Sequence, residues 1–203
     1  MKETGNKEAA FLRDIVSIEQ IDTLNVSSVG CSGYSGGSGS GSLGGACFFN
    51  VLSSIGATYK VKKTPEKLGK EYFEGGYGTK HEMENGPDTF KRNSATGEVV
   101  PNPNAYNFIN GIFETKDNGW QKGETKLQEY TTRRKGEKSG KIMGVIDNGP
   151  NPGNSHAVII TGFQDGVIEY YDPTYHQRAE SDVTKLKYFT MIVGAKEKED
   201  ENE

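Results

Sequence analysis

The sequence predicts an α+β domain, with helices first and an antiparallel sheet after them. Three observations carry this. Between Ala46 and Phe113 bulky apolar residues recur at helical spacing. After Trp120 the periodicity turns strand-like, and the hairpin signal Gln164-Asp165-Gly166-Val167 separates two such runs. Helical and strand-like segments are segregated along the chain rather than alternating.

The first helix is expected over Ala46–Ile55, with Phe48, Phe49, Val51, Leu52 and Ile55 as a wide apolar face and Gly56 as its stop. A second begins at Thr64-Pro65-Glu66, with Thr64 as cap and Pro65 in the first turn, and ends at Gly75-Gly76. Residues 76–103 are polar and rich in turn formers, which predicts a long irregular crossover. Asn104 is expected to cap a third helix with the face Ala105, Phe108, Ile109, Ile112 and Phe113. Strands are expected at Thr125–Thr131, Lys141–Asp147, His156–Gln164, Val167–Asp172 and Leu186–Ala195.

Composition divides the chain into three parts. Residues 1–45 form a flexible N-terminal segment in which residues 30–45, GCSGYSGGSGSGSLGG, hold eight glycines and five serines. Upstream lies one short amphipathic pattern from Phe11 to Ile21, marginal as an isolated helix. Residues 46–195 make the globular domain. Residues 196–203, KEKEDENE, read as a solvated acidic tail.

The bounds on function follow from charge and cysteine count. A net charge of −4 argues against nucleic acid as a partner, and the basic run Arg133-Arg134-Lys135 is diluted by Glu129 and Glu137. No stretch reaches the ~18 apolar residues of a membrane helix. Charges throughout Met1–Glu19 leave no secretory signal core, so the protein is expected to be cytoplasmic or exported by a dedicated route. Two cysteines make one bridge or none.

The chemistry-bearing residues are Cys47 at a helix start, His156 opening a strand and Asp172 ending the next strand. A free thiol has a pKa of ~8.5 and is mostly unreactive at neutral pH. First-turn amides and the helix dipole favour an anion at Cys47, and an imidazolium favours it more. His156 would then protonate the leaving amine, and Asp172 would fix the ring's tautomer and orientation. Strict pairing about the Asp165-Gly166 turn sets Ile159 opposite Asp172, which leaves the acid on the wrong face. A β-bulge restores the shared face.

Asn154-Ser155-His156-Ala157-Val158-Ile159-Ile160-Thr161-Gly162-Phe163 resembles the histidine strand of papain-like cysteine peptidases. Asp172-Pro173 is similar to the Asp-Pro of the bacterial double-glycine, bacteriocin-processing branch, and Cys47-Phe48 to its nucleophile and following bulky residue. The resemblance covers Gly44–Asn50 and Asn154–Pro173. It implies a papain-like fold, the cysteine heading a central helix packed on the C-terminal sheet, and hydrolysis of peptide or amide bonds through a thioester without cofactor or metal. A peptide or peptidoglycan-like substrate is implied, with export machinery or an inhibitor or immunity protein as partners.

The chain departs from the family in one respect. Gly39–Gly44 contains no glutamine or asparagine where the family places an oxyanion glutamine. The remaining donor candidates are Ser42, Asn50 and Asn154, besides the Cys47 amide. Losing one oxyanion donor typically costs ~10²–10³ in rate. A slow enzyme, a relocated donor and an inactive fold all accommodate this.

Several features have plainer readings. A zinc site of Cys47, His156 and His176 lacks any short paired ligand spacing. His81 and His176 read as surface residues. Cys31, sixteen residues before Cys47 on the Gly-rich tether, is within reach of a reversible disulfide with it. Leu43-Gly44-Gly45-Ala46 resembles the end of a double-glycine leader, which would make residues 1–45 a leader or pro-segment. The alternative to a hydrolase is a catalytically inactive papain-like binding module delivered by its flexible N-terminus.

Overall fold

A computed structural model describes residues 47–79, 90–92, 95–96, 99–132, 140–147 and 155–196. Helix α1 spans Cys47–Thr58 and α2 Pro65–Glu74. A small ladder pairs β1 (Phe90–Arg92) with β2 (Val99–Pro101). Then come α3 (Pro103–Ile112), β3 (Phe113–Thr115), α4 (Glu124–Thr131), β4 (Lys141–Asp147), β5 (Ser155–Gln164), β6 (Val167–Asp172), β7 (Gln177–Asp182) and β8 (Leu186–Ala195). All pairings in the six-stranded sheet are antiparallel, in the order β3-β8-β4-β5-β6-β7. The architecture is α+β, with four helices among the described residues.

Helix α1 is buried on nearly every side, because Cys47 through Leu52, Ile55 and Gly56 are all inside. It does not stop at Gly56 but runs to Thr58. A β-carbon on Gly56 would stand 3.0 Å from the Val61 carbonyl oxygen and 3.5 Å from the Phe113 ring, so this glycine serves close packing rather than termination. The chain turns off two residues later at Lys60, whose φ is +63°.

Helix α2 starts as its sequence dictates. Thr64 Oγ1 accepts from the Lys67 amide at 3.3 Å, Pro65 opens the first turn, and Gly75 caps the C-terminus. On α3 the cap is Asn102, not Asn104: Asn102 Oδ1 accepts from the Asn104 amide at 2.9 Å, and Pro103 takes the first helical position, where its missing N–H costs nothing.

Two further differences have physical reasons. The expected strand Thr125–Thr131 is helix α4. Its buried residues, Leu127 and Tyr130, are three apart, and Lys126 pairs with Glu129 at 3.0 Å across the same spacing. Strand β7 was not legible. Its sequence, QRAESD, carries no apolar alternation, because it is a sheet edge whose charges discourage further pairing. Within the crossover expected to be irregular, β1 and β2 pair Phe90 with Pro101 and Arg92 with Val99.

The sheet separates two apolar cores. On one side α1, α2 and α3 pack Phe48, Phe49, Leu52, Tyr72 and Phe108 against Met143, Ala157, Ile159 and Ile192. Edge-to-face rings hold this core together, with Tyr72 and Phe108 centroids 5.2 Å apart. On the other side α4 packs Leu127 and Tyr130 against Ile142, Ile146, Val158, Ile160 and Phe189.

The β5–β6 hairpin turns at Asp165 (φ +52°) and Gly166 (φ +78°), the left-handed pair a two-residue hairpin requires. Its ladder pairs Gly162 with Glu169, then Ile160 with Tyr170 and Ile159 with Tyr171. Thr161 is the extra residue of a bulge. The shift gives Asp172 the face parity of His156, which strict pairing would have denied it.

Candidate functional site

His156 is the second residue of β5 and lies opposite Ile146 of β4. Asp172 ends β6 and is buried. Their side chains meet, His156 Nε2 standing 2.5 Å from Asp172 Oδ2. The other carboxylate oxygen, Oδ1, accepts from the backbone amides of Thr174 at 2.9 Å and Tyr175 at 3.4 Å. This Asx turn follows from Asp172-Pro173: proline biases its predecessor to extended backbone, and the aspartate then accepts from the amides that follow. Burial raises the pKa of the neighbouring Tyr170 phenol, and the Asp172 charge adds to that rise.

The ring of Tyr175 lies 6.0 Å from the His156 ring, tilted by 40°. Tyr175 itself is 55% exposed, so it forms an outer wall beside the imidazole. His176 is exposed, and its Nδ1 lies 3.4 Å from the Tyr171 hydroxyl.

Cys47 is the first residue of α1 and is buried beneath the surface of the α1–α3 core. Its sulfur is disulfide-bonded. The chain holds one other cysteine, Cys31, which lies outside the described residues. Asn50, three residues on and one turn along α1, is 5% exposed, and its Nδ2 donates to Thr174 Oγ1 at 3.2 Å. A continuous polar path thus runs from α1 through Asn50, Thr174 and Asp172 to His156.

Face parity explains why this path matters. Ala157 and Ile159 enter the core beneath α1, whereas Val158 and Ile160 enter the α4 core. His156 has the parity of Val158. By parity the His156–Asp172 pair belongs to the α4 side of the sheet, and the helix bearing Cys47 is tied to it through the turn after Asp172, by the Asn50–Thr174 bond.

Of the three oxyanion candidates, Asn50 directs its amide to Thr174, and Ser42 and Asn154 lie outside the described residues. So do residues 1–46, His81, the run Arg133-Arg134-Lys135 and the acidic tail beyond Lys196. Sequence alone assigns Thr174 and Tyr175 no role at the site, though an Asp172-Pro173-Thr174 turn is a signal for such amide donation. Among the described residues no group of three or more His, Cys, Asp or Glu converges to hold a metal ion. None of the described helices is long and apolar enough to cross a membrane.

A second polar cluster lies against α4. Asp117 Oδ2 accepts from the Tyr130 hydroxyl at 2.5 Å and pairs with Lys126 at 3.0 Å. These two contacts, the tyrosine's first, hold the Asp117 pKa below the usual aspartate value. Burial, followed by the Asp117 hydrogen bond, pushes the Tyr130 phenol well above an ordinary tyrosine. The cluster fastens α4 to the segment after β3.

No family model, characterised protein or solved structure matches this chain.

Proposed function

We propose that the protein is a papain-like cysteine hydrolase that cleaves peptide or amide bonds, with Cys47 as nucleophile, His156 as acid and base, and Asp172 as the residue that orients the imidazole. The observation that carries this reading is the His156 Nε2–Asp172 Oδ2 hydrogen bond, made by a buried carboxylate that two further amides hold in place.

With Nε2 committed to Asp172, Nδ1 is the nitrogen left to exchange a proton with the sulfur. After two-electron reduction of its disulfide by a thiol reductant, the Cys47 thiolate adds to the substrate carbonyl. The resulting oxyanion is met by the Cys47 backbone N–H in the first turn of α1, where the helix dipole also favours negative charge. His156 protonates the leaving amine as the C–N bond breaks and the thioester forms. It then takes a proton from water, which attacks the thioester and releases the acid and the thiol. A peptide or peptidoglycan-like substrate suits this chemistry.

The second reading is an inactive papain-like module. The buried, disulfide-bonded state of Cys47 favours it. Digestion of a peptide library and of peptidoglycan by the reduced protein separates the two. Cleavage by the wild type that disappears in Cys47→Ala supports the hydrolase, and identical product profiles support the module.

A further inference from the structure

We propose that Asn50 and Thr174 are positioning residues that lock the Asp172–His156 pair to the first turns of α1, and so to Cys47. The inference deepens the hydrolase reading and rests on it for its consequence, though not for its geometry.

Asn50, Thr174 and Asp172 are 5%, 2% and 3% exposed, so the path between them is almost wholly out of water. Burying polar groups is unfavourable unless each finds a partner, and asparagine is a weak helix former. Every neighbour of Asn50 on α1 from Cys47 to Leu52 is otherwise apolar. A leucine there would extend the core, so the asparagine needs a reason. The bond Asn50 Nδ2 to Thr174 Oγ1, at 3.2 Å, supplies it. Thr174 then gives its amide to Asp172 Oδ1 at 2.9 Å, and Asp172 Oδ2 holds His156. Asn50 follows Cys47 by three residues, which places the two on adjoining turns of one helix face. The sheet holds His156 opposite Ile146 and Asp172 opposite Gln177, but the β5–β6 ladder ends at Ile159 and Tyr171, before the pair. The Asn50–Thr174 bond ties the turn that follows Asp172 to α1.

The test compares wild type with Asn50→Leu, Thr174→Val and Thr174→Ser in the full-length reduced protein. Melting temperature accompanies two readouts: the proton resonance of the His156 Nε2–H, and the iodoacetamide alkylation rate of Cys47 at about pH 6. The wild type and Thr174→Ser are expected to show a sheltered, slowly exchanging Nε2–H. In Asn50→Leu and Thr174→Val that proton broadens or disappears, and alkylation slows about 10-fold or more. Should Asn50→Leu not fold, the near-isosteric valine and the hydroxyl-restoring serine decide the matter alone. Folded variants with an unchanged proton and an unchanged alkylation rate overturn the proposal. If wild-type Cys47 alkylates like an ordinary thiol, the hydrolase reading fails, and the proton readout still decides whether Asn50 and Thr174 position the pair.

Discussion

His156 and Asp172 lie sixteen residues apart in the chain, and their side chains meet at 2.5 Å because one bulged residue, Thr161, puts them on the same face of the β5–β6 hairpin. Removal of the acid is expected to leave the ring free to turn and to change tautomer. Asp172→Ala should lower kcat on any cleaved peptide by about 10²–10⁴-fold, with a smaller effect on KM. Asp172→Asn keeps the Asx-turn acceptor and should fold nearly as well as wild type, while still losing rate. Steady-state kinetics beside thermal melts check both.

The disulfide at Cys47 predicts redox dependence. Unreduced protein should take up no iodoacetamide at Cys47, and treatment with a dithiol should expose it to modification, read by peptide mass mapping. Any hydrolytic activity should follow the reduced fraction. Modification at Cys47 without reductant contradicts this.

Stability should depend on pH through Asp117. Its folded pKa is lowered, by the Tyr130 hydrogen bond first and Lys126 second. An acid of that kind stabilises the fold above its unfolded pKa of ~3.9, and the contribution disappears as pH falls through the lower folded value. Asp117→Asn should therefore cost about 1 kcal/mol at pH 7, a modest figure because the carboxylate is partly exposed and solvent screens it. Melts at pH 7 and pH 3 should show the gap to wild type shrinking at the lower pH.

Gly56→Ala sets helix propensity against packing. Alanine is better than glycine in a helix by about 1 kcal/mol. The new β-carbon, however, meets the Val61 carbonyl oxygen at 3.0 Å, and that backbone is pinned by the Val61 amide bond to the Gly56 carbonyl at 2.9 Å. Overpacking of this kind typically costs 1–3 kcal/mol. A net loss of about 1 kcal/mol is expected, seen as a lower melting temperature.

Much of this fold was legible where burial and local signals agree. Strands β4, β6 and β8 have the bounds their apolar runs predict, and Thr64-Pro65 starts α2 as read. The errors lie where one signal stands without the other. Thr125–Thr131 is too polar for its period to be read, and only the Leu127–Tyr130 spacing betrays a helix. Gly56 looks like a stop because the sequence does not show Val61 folding back upon it. For the site, residue types and chain order suggested Cys47, His156 and Asp172. The need for a bulge between His156 and Asp172 was legible from the register, but its place at Thr161, the Asn50–Thr174 bond and the wall made by Tyr175 arise from turn geometry, which no residue type encodes singly.

The central claim is that His156 holds the Cys47 sulfur as an anion. Its most direct test is the alkylation rate of reduced Cys47 by iodoacetamide from pH 4 to 9, in wild type and His156→Ala. The account predicts rapid wild-type reaction near pH 6, far below the ~8.5 of a free thiol, and loss of that limb in the variant. Superimposable profiles that both rise only above pH 8 contradict it.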